Sequence, residues 1–214
     1  PTVGIVTDYT LHPFWEDVPY IEYIDMASPL LIHSAIKRGV PRERLCSHGI
    51  PVQLKFSEHL PQAEARQKLG LDPDKKTVLI MAGSMGYGNM SAIITDIQRV
   101  YQDLQILAVC GNNKRQYKKL INMNLGDLVH PYGFIDNVDL MMDAADCIIT
   151  KPGGLTVSEA MAKRLPLILI NPIPGQEERN LDFLLNNGIA LSVTKSFPVD
   201  EALNFLFESP GRLD

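Results

Sequence analysis

Long hydrophobic runs are missing from this chain: its 214 residues contain no stretch of about 18 apolar residues, so a membrane-crossing helix is not expected. No secretory leader is expected, because Pro1-Thr2-Val3-Gly4-Ile5-Val6 reads directly into a strand pattern. Only three cysteines occur, Cys46, Cys110 and Cys147, with no metal-ligand spacing; the latter two sit in apolar runs and read as small core residues, in keeping with a reducing cytoplasm. The formal net charge of -5 comes with no lysine-rich block, which argues against a nucleic-acid footprint. The G-x-S-x-G elbow of serine hydrolases and the H-E-x-x-H zinc motif do not occur, and His33, His48, His59 and His130 have no partners at ligand spacing.

The chain does hold a core-forming composition and a regular alternation. Hydrophobic residues make up 45% and charged residues 21%, as in soluble globular domains. Residues 2–6 and 21–25 read as short buried strands, and Ser28 to Arg38 as a helix stopped by Gly39. Residues 40–45 read as a connector, and Pro61 to Leu69 as a helix with Gly70 past its end. From residue 77 onward, strands at 77–82, 105–110, 128–133, 147–149, 165–170 and 189–193 alternate with helices. The helices are expected near 89–101, 113–123, 137–144, after Gly154, 178–187 and 199–208. This pattern predicts an α/β fold with a Rossmann-like doubly wound parallel sheet. The expected division is 1–57 as the tail of a preceding domain plus linker, and 58–214 as the sheet domain. A start at Pro1 inside a strand pattern suggests a piece of a longer protein.

Lys151-Pro152-Gly153-Gly154-Leu155-Thr156-Val157-Ser158-Glu159 joins a buried strand to a helix at the strand's carboxyl end, where open α/β sheets bind ligands. Two glycines and a helix start can hold a diphosphate. Thr156-x-x-Glu159 also fits a capping box, in which Glu159 merely closes the helix start. The loop Asn171-Pro172-Ile173-Pro174-Gly175-Gln176-Glu177-Glu178-Arg179-Asn180 follows the next strand, which suggests one shared site. Gly83-Ser84-Met85-Gly86-Tyr87-Gly88 is spaced G-x-x-G-x-G. It is neither the dinucleotide fingerprint nor a P-loop, and leaves a phosphate or sugar lining or a plain tight turn. Asp72-Pro73-Asp74 spells a carboxylate pair but reads as a surface turn. Thr7-Asp8-Tyr9-Thr10-Leu11-His12-Pro13-Phe14-Trp15 concentrates aromatics, a histidine and a carboxylate at one strand end. It suits an acceptor cleft or aromatic packing between domains equally.

These motifs together resemble the donor domain of GT-B glycosyltransferases of family 28, carried by the 151–160 stretch with Asn171-Pro172 and Pro174-Gly175-Gln176-Glu177…Asn180. Thr7-Asp8-Tyr9…His12…Trp15 and Gly49-Ile50-Pro51-Val52 resemble its glycolipid branch, which includes monogalactosyldiacylglycerol synthases and processive diacylglycerol glucosyltransferases, with MurG more distant. The resemblance implies inverting hexosyl transfer from UDP-glucose or UDP-galactose to diacylglycerol, with no cofactor, no metal and no nucleic-acid partner. It implies that Glu159 binds the ribose, and that Gly83, Ser84 and Gly86 face the diphosphate with Gly153, Gly154, Leu155 and Thr156. Phe134 and Ile135 would hold the uracil, and Gln176, Glu177 and Asn180 the sugar or diphosphate. In such enzymes the amino-terminal domain binds the lipid and supplies the main base upstream of this chain. His12 and Asp8 are the base candidates within it. A cytoplasmic enzyme, peripheral at the inner membrane face through that missing domain, is the expectation. A UDP-sugar epimerase of the same shape, or a nucleotide-sugar-binding module without its own activity, are the other readings.

Overall fold

A computed structural model describes residues 1–81 and 90–209. The glycine-rich loop at 83–88, including Gly83, Ser84 and Gly86, lies outside the described residues.

The chain builds two parallel sheets. The smaller has β1 (Val3–Ile5), β2 (Tyr23–Asp25) and β3 (Leu45–Cys46), in the order β1-β2-β3. Sequence reading placed Leu45 in a connector; two residues are too few to carry an alternation, and only the pairing Ile24–Leu45 and Asp25–Cys46 makes a strand of them. The helix expected over 28–38 is a 3-10 turn at Pro29–Leu31 leading into α1 (Ile32–Lys37). Pro29 suits that first turn, and the Ser28 hydroxyl accepts the Leu30 N–H at 3.3 Å.

The larger sheet has β4 (Thr77–Met81), β5 (Gln105–Val109), β6 (Val129–Tyr132), β7 (Cys147–Thr150), β8 (Leu167–Leu169) and β9 (Ala190–Ser192). Its order is β6-β5-β4-β7-β8-β9, and every pairing is parallel. Helices cover both faces, so the central strands are buried on both sides and carry continuous apolar runs. Val78 and Ile80 point into one core with α3 (Met90–Val100), α4 (Lys114–Asn122) and α8 (Val199–Glu208). Leu79 points into the other, with α2 (Gln62–Lys68), α5 (Val138–Ala144), α6 (Gly154–Ala162) and α7 (Gln176–Asn186). Successive residues therefore serve opposite layers, as a pleated strand requires.

The order reverses between β4 and β7. From β4 the chain winds outward through β5 to β6, and from β7 outward through β8 to β9. A crevice opens at such a switch point at the carboxyl ends of the strands. The loop after β7, Lys151-Pro152-Gly153, lies there.

The amino edge is closed by buried charge. Arg66 donates to the carbonyls of Ala144 (3.0 Å) and Pro73 (2.9 Å) and pairs with Asp146 at 2.7 Å. Asp146 also accepts from Thr77 N–H (2.7 Å) and Lys76 (2.9 Å). Lys163, buried at the end of α6, pairs with Asp143 at 2.7 Å and donates to the carbonyl of Glu58. Cys110 and Cys147 are buried free thiols within the core, and burial pushes the Cys110 thiol up to about 11.

Candidate functional site

Helix α6 decides between the two readings of Thr156 and Glu159. Its N-cap is Gly153, extended at φ -77° and ψ 133°, and no side chain caps it. Thr156 is thus the third helical residue and Glu159 the sixth, so the capping box does not form. The first intrahelical bond runs from Val157 N–H to Gly153 O at 3.0 Å. The N–H groups of Gly154, Leu155 and Thr156 come before it, at the positive end of the helix dipole.

Glu159 is half-buried, and its carboxylate accepts no hydrogen bond from any described residue. Burial raises its pKa above the ordinary carboxylate value, and the Lys55 ammonium partly lowers it again. Leu155, 54% exposed, lies one turn earlier on the same helix face. Glu159 stands five residues beyond Gly154, about 7.5 Å along the axis. A ligand that puts its anionic part at the helix start thus has a carboxylate further along to meet its hydroxyls.

Lys55 is the site residue that sequence reading missed. It sits in a 3-10 turn, Leu54–Phe56, between the two sheets. Its ammonium donates to the carbonyl of Asp136 and pairs with Asp139 at 3.3 Å, 5.5 Å from the Phe56 ring centroid. It thereby ties the β6–α5 loop, which carries Phe134 and Ile135, to the surroundings of Glu159. Phe134 is 73% exposed, a free aromatic face, whereas Ile135 packs on the core. Its partners lie 81 and more residues away, beyond any local pattern.

The second strand-end loop differs from expectation. Helix α7 starts at Gln176, two residues early, after Gly175 at φ 92°. Glu178 accepts the Gly175 N–H at 2.8 Å and Glu177 accepts the Ile173 N–H at 2.7 Å, so both glutamates pin the loop. Asn180 is completely buried. It accepts from Tyr9 N–H (2.8 Å) and donates to Asp8 Oδ1 (2.9 Å) and the Pro152 carbonyl (3.0 Å). Gln176 donates to Asp8 Oδ2. Gln176, Glu177 and Asn180, the residues expected to meet sugar or diphosphate, each bond protein groups in this structure, and Asn180 has no exposed surface.

Those bonds form a seam between the halves. The Tyr9 hydroxyl bonds Ser158 Oγ (2.7 Å), and Ser158 donates to Gly154 O (2.7 Å), so Tyr9 is the donor to Ser158. The Tyr9 ring stacks on Phe183 at 5.4 Å. A Cβ at Gly154 would lie 1.9 Å from the Thr7 carbonyl oxygen, so only glycine lets the β1 loop come this close to the start of α6. Both Asp8 oxygens accept amide protons. His12 is exposed, its Nδ1 accepts the Phe14 N–H (3.2 Å), and its ring lies 4.6 Å from that of Phe14. The Asp72-Pro73-Asp74 pair is a turn, with Asp72 Oδ1 accepting the Asp74 N–H at 3.0 Å. Two larger hollows lie elsewhere: 410 Å³ between α3 and the start of α8, and 780 Å³ beside β8 and β9 at the amino edge.

The family description "Glycosyl transferases group 1" matches residues 61–212, most of the chain and all of the larger sheet. The chain belongs to the group 1 glycosyl transferases. Within that setting, a processive diacylglycerol beta-glucosyltransferase of Bacillus cytotoxicus is 33% identical over 217 residues, covering 100% of this chain and 55% of its own length. The chain spans about half the length of the curated relatives it matches. Among solved structures, MurG of Acinetobacter baumannii superposes with a TM-score of 0.64 at 18% identity, over 99% of this chain and 58% of that one. HepE of Anabaena, in complex with UDP and glucose, gives 0.60 at 15% identity, over 100% and 64%. The fold of this glycosyl transferase chain is accordingly the α/β GT-B type, and its relatives include the glycolipid enzymes that its motifs resemble.

Proposed function

We propose that this chain is the donor-binding half of an inverting glycosyltransferase that moves a hexose from UDP-glucose or UDP-galactose to diacylglycerol. The observation that carries the reading is the Glu159 carboxylate, half-buried without a hydrogen bond from any described residue, on the helix that starts at the switch point. A desolvated carboxylate without a partner costs stability, and two ribose hydroxyls would supply the missing donors. The relatives' names, which include diacylglycerol, and the UDP held by HepE support the substrate classes.

In this reading residues 1–57 are the tail of an acceptor-binding domain with its linker, and 58–214 the donor domain. The uracil stacks on Phe134 beside Ile135, while the diphosphate meets the N–H groups of Gly154, Leu155 and Thr156. That helix start would offset the charge on departing UDP without a metal as the acceptor hydroxyl displaces it at the anomeric carbon. The glycine-rich loop with Gly83, Ser84 and Gly86 borders the same switch point in sequence. Asp8 is a weak base candidate because both its oxygens are engaged. His12 is exposed with its Nδ1 accepting the Phe14 N–H, so Nε2 is the nitrogen that would take a proton. The enzyme would work at the cytoplasmic membrane face.

Calorimetry with UDP, UDP-glucose and UDP-galactose in EDTA tests the reading, alongside transfer assays on diacylglycerol vesicles. UDP should bind unchanged in EDTA, and the chain alone should transfer far more slowly than the whole protein, since proximity of acceptor and base is missing. Absence of UDP binding, or strict dependence on a divalent metal, would overturn it.

A further inference from the structure

Helix α4 carries a short basic cluster that sequence reading for a lysine-rich block passed over. Lys114, Arg115, Lys118 and Lys119 fall within six residues, and all four are exposed. On the helix they form two adjoining stripes. One holds Lys114, Lys118 and Ile121, spaced four and three apart; the other holds Arg115, Lys119 and Asn122. Ile121, 53% exposed, lies at the border of these charges next to Tyr117, and Leu120 and Tyr117 pack into the core. From Leu104 to Gly126 the chain has no aspartate or glutamate, although its net charge is -5. Some other surface cations are paired, as in Lys68–Glu64, Arg99–Asp96 and Lys75–Asp103, whereas single cations such as Lys37 and Lys195 are not paired among the described residues. Among the described residues no ion pair involves Lys114, Arg115 or Lys118. Lys114, Arg115 and Lys118 thus present charge of one sign that no described carboxylate neutralises.

We propose that the outer face of α4 docks on an anionic phospholipid surface. Basic side chains near such a surface add their attractions as long as they lie within a Debye length of it, and two turns of helix bring all four that close. An exposed isoleucine beside lysines suits the boundary between headgroups and acyl chains. A single-stranded nucleic acid would call for aromatic side chains free to stack, and the one aromatic residue of α4, Tyr117, packs inward. Helix α4 begins just past the carboxyl end of β5, on the edge where α6 starts. The donor half would thus make its own contact with the bilayer, beside the site proposed for transfer to diacylglycerol. That last placement rests on the proposed function; the charge argument does not.

Sedimentation with vesicles of mixed phosphatidylglycerol and phosphatidylcholine, against phosphatidylcholine alone, tests the proposal on the 214-residue chain. Binding should need the anionic lipid and weaken in high salt. The triple variant Lys114→Glu, Arg115→Glu, Lys118→Glu should lose at least about tenfold in partitioning, with UDP affinity and melting temperature held. Ile121→Ser should lose less, and Lys→Arg exchanges at 114 and 118 should keep binding. Equal binding by wild type and triple variant, or no binding of wild type to the mixed vesicles, would overturn it; so would tighter binding to a DNA duplex than to those vesicles. UDP calorimetry on the same samples separates the two readings. Vesicle binding without UDP binding removes the donor site alone, and the reverse removes the membrane face alone.

Discussion

At the amino edge of the larger sheet, Arg66, Asp146 and Lys163 each bond two or more protein groups; on α6, which starts at the carboxyl edge, Glu159 bonds none of those described. Both sets of charges are removed from bulk water to some degree. Among the described residues only the first is compensated by hydrogen bonds; Glu159 has the Lys55 charge nearby and no bond. Removing charge from water is costly unless partners replace the lost hydration, so the amino edge holds the fold together, whereas the carboxyl side keeps a deficit that a ligand can fill.

The largest effect should come from breaking the saturated edge. Arg66→Met leaves Asp146 with only the Thr77 N–H and the exposed Lys76, orphans the Ala144 and Pro73 carbonyls, and should cost about 3–5 kcal/mol in urea unfolding. UDP affinity of the molecules that remain folded should hold. A loss below about 1 kcal/mol would mean that the pair behaves as a surface bridge and the contrast between the edges is weaker than drawn.

Glu159→Gln tests the other side, with the opposite signature. UDP affinity should fall by about 1.5–3 kcal/mol, the worth of hydrogen bonds to a charged group. Stability should not fall with it. The folded-state pKa of Glu159 lies above its unfolded value, so the folded form binds the proton more tightly. Its unfavourable contribution is absent below the unfolded pKa, grows as pH rises through the folded pKa, and is then constant. The glutamine variant should therefore match or slightly exceed the parent in melting temperature at neutral pH, and lose any advantage in acid. A destabilised variant with intact UDP binding would return Glu159 to a structural role.

The smallest effect sharpens the same contrast. Lys55→Met removes the charge that lowers the pKa of Glu159 and frees the loop at Asp136. Binding of UDP-glucose, whose diphosphate keeps its charge, should begin to weaken at a higher pH in the variant as acid is added. A calorimetric pH series that superposes on the parent's would show that Lys55 has no influence on the site.

Much of this was legible in the sequence, and the exceptions share a cause. The alternation from 77 onward was readable because each buried strand is continuously apolar and each helix is bounded by its own turn residues. The switch-point loop was readable because Pro-Gly-Gly at a strand end has few other uses. Thr156-x-x-Glu159 could not be resolved, since a capping box and a ligand carboxylate share one spelling until the cap is known to be Gly153. Lys55, and the commitment of Asn180 to Asp8 and Tyr9, depend on partners about 80 to 172 residues away. Composition and period carry no record of such contacts.

The seam at Asn180 sets how the two halves can part. One amide with no exposed surface holds the β1 loop through Tyr9 and Asp8, and the switch-point loop through Pro152. Drawing the halves apart slightly would break these bonds before water could reach the amide, so partial opening is the least favourable position of all. A joint built this way would act as a detent, favouring shut or clear over any position between.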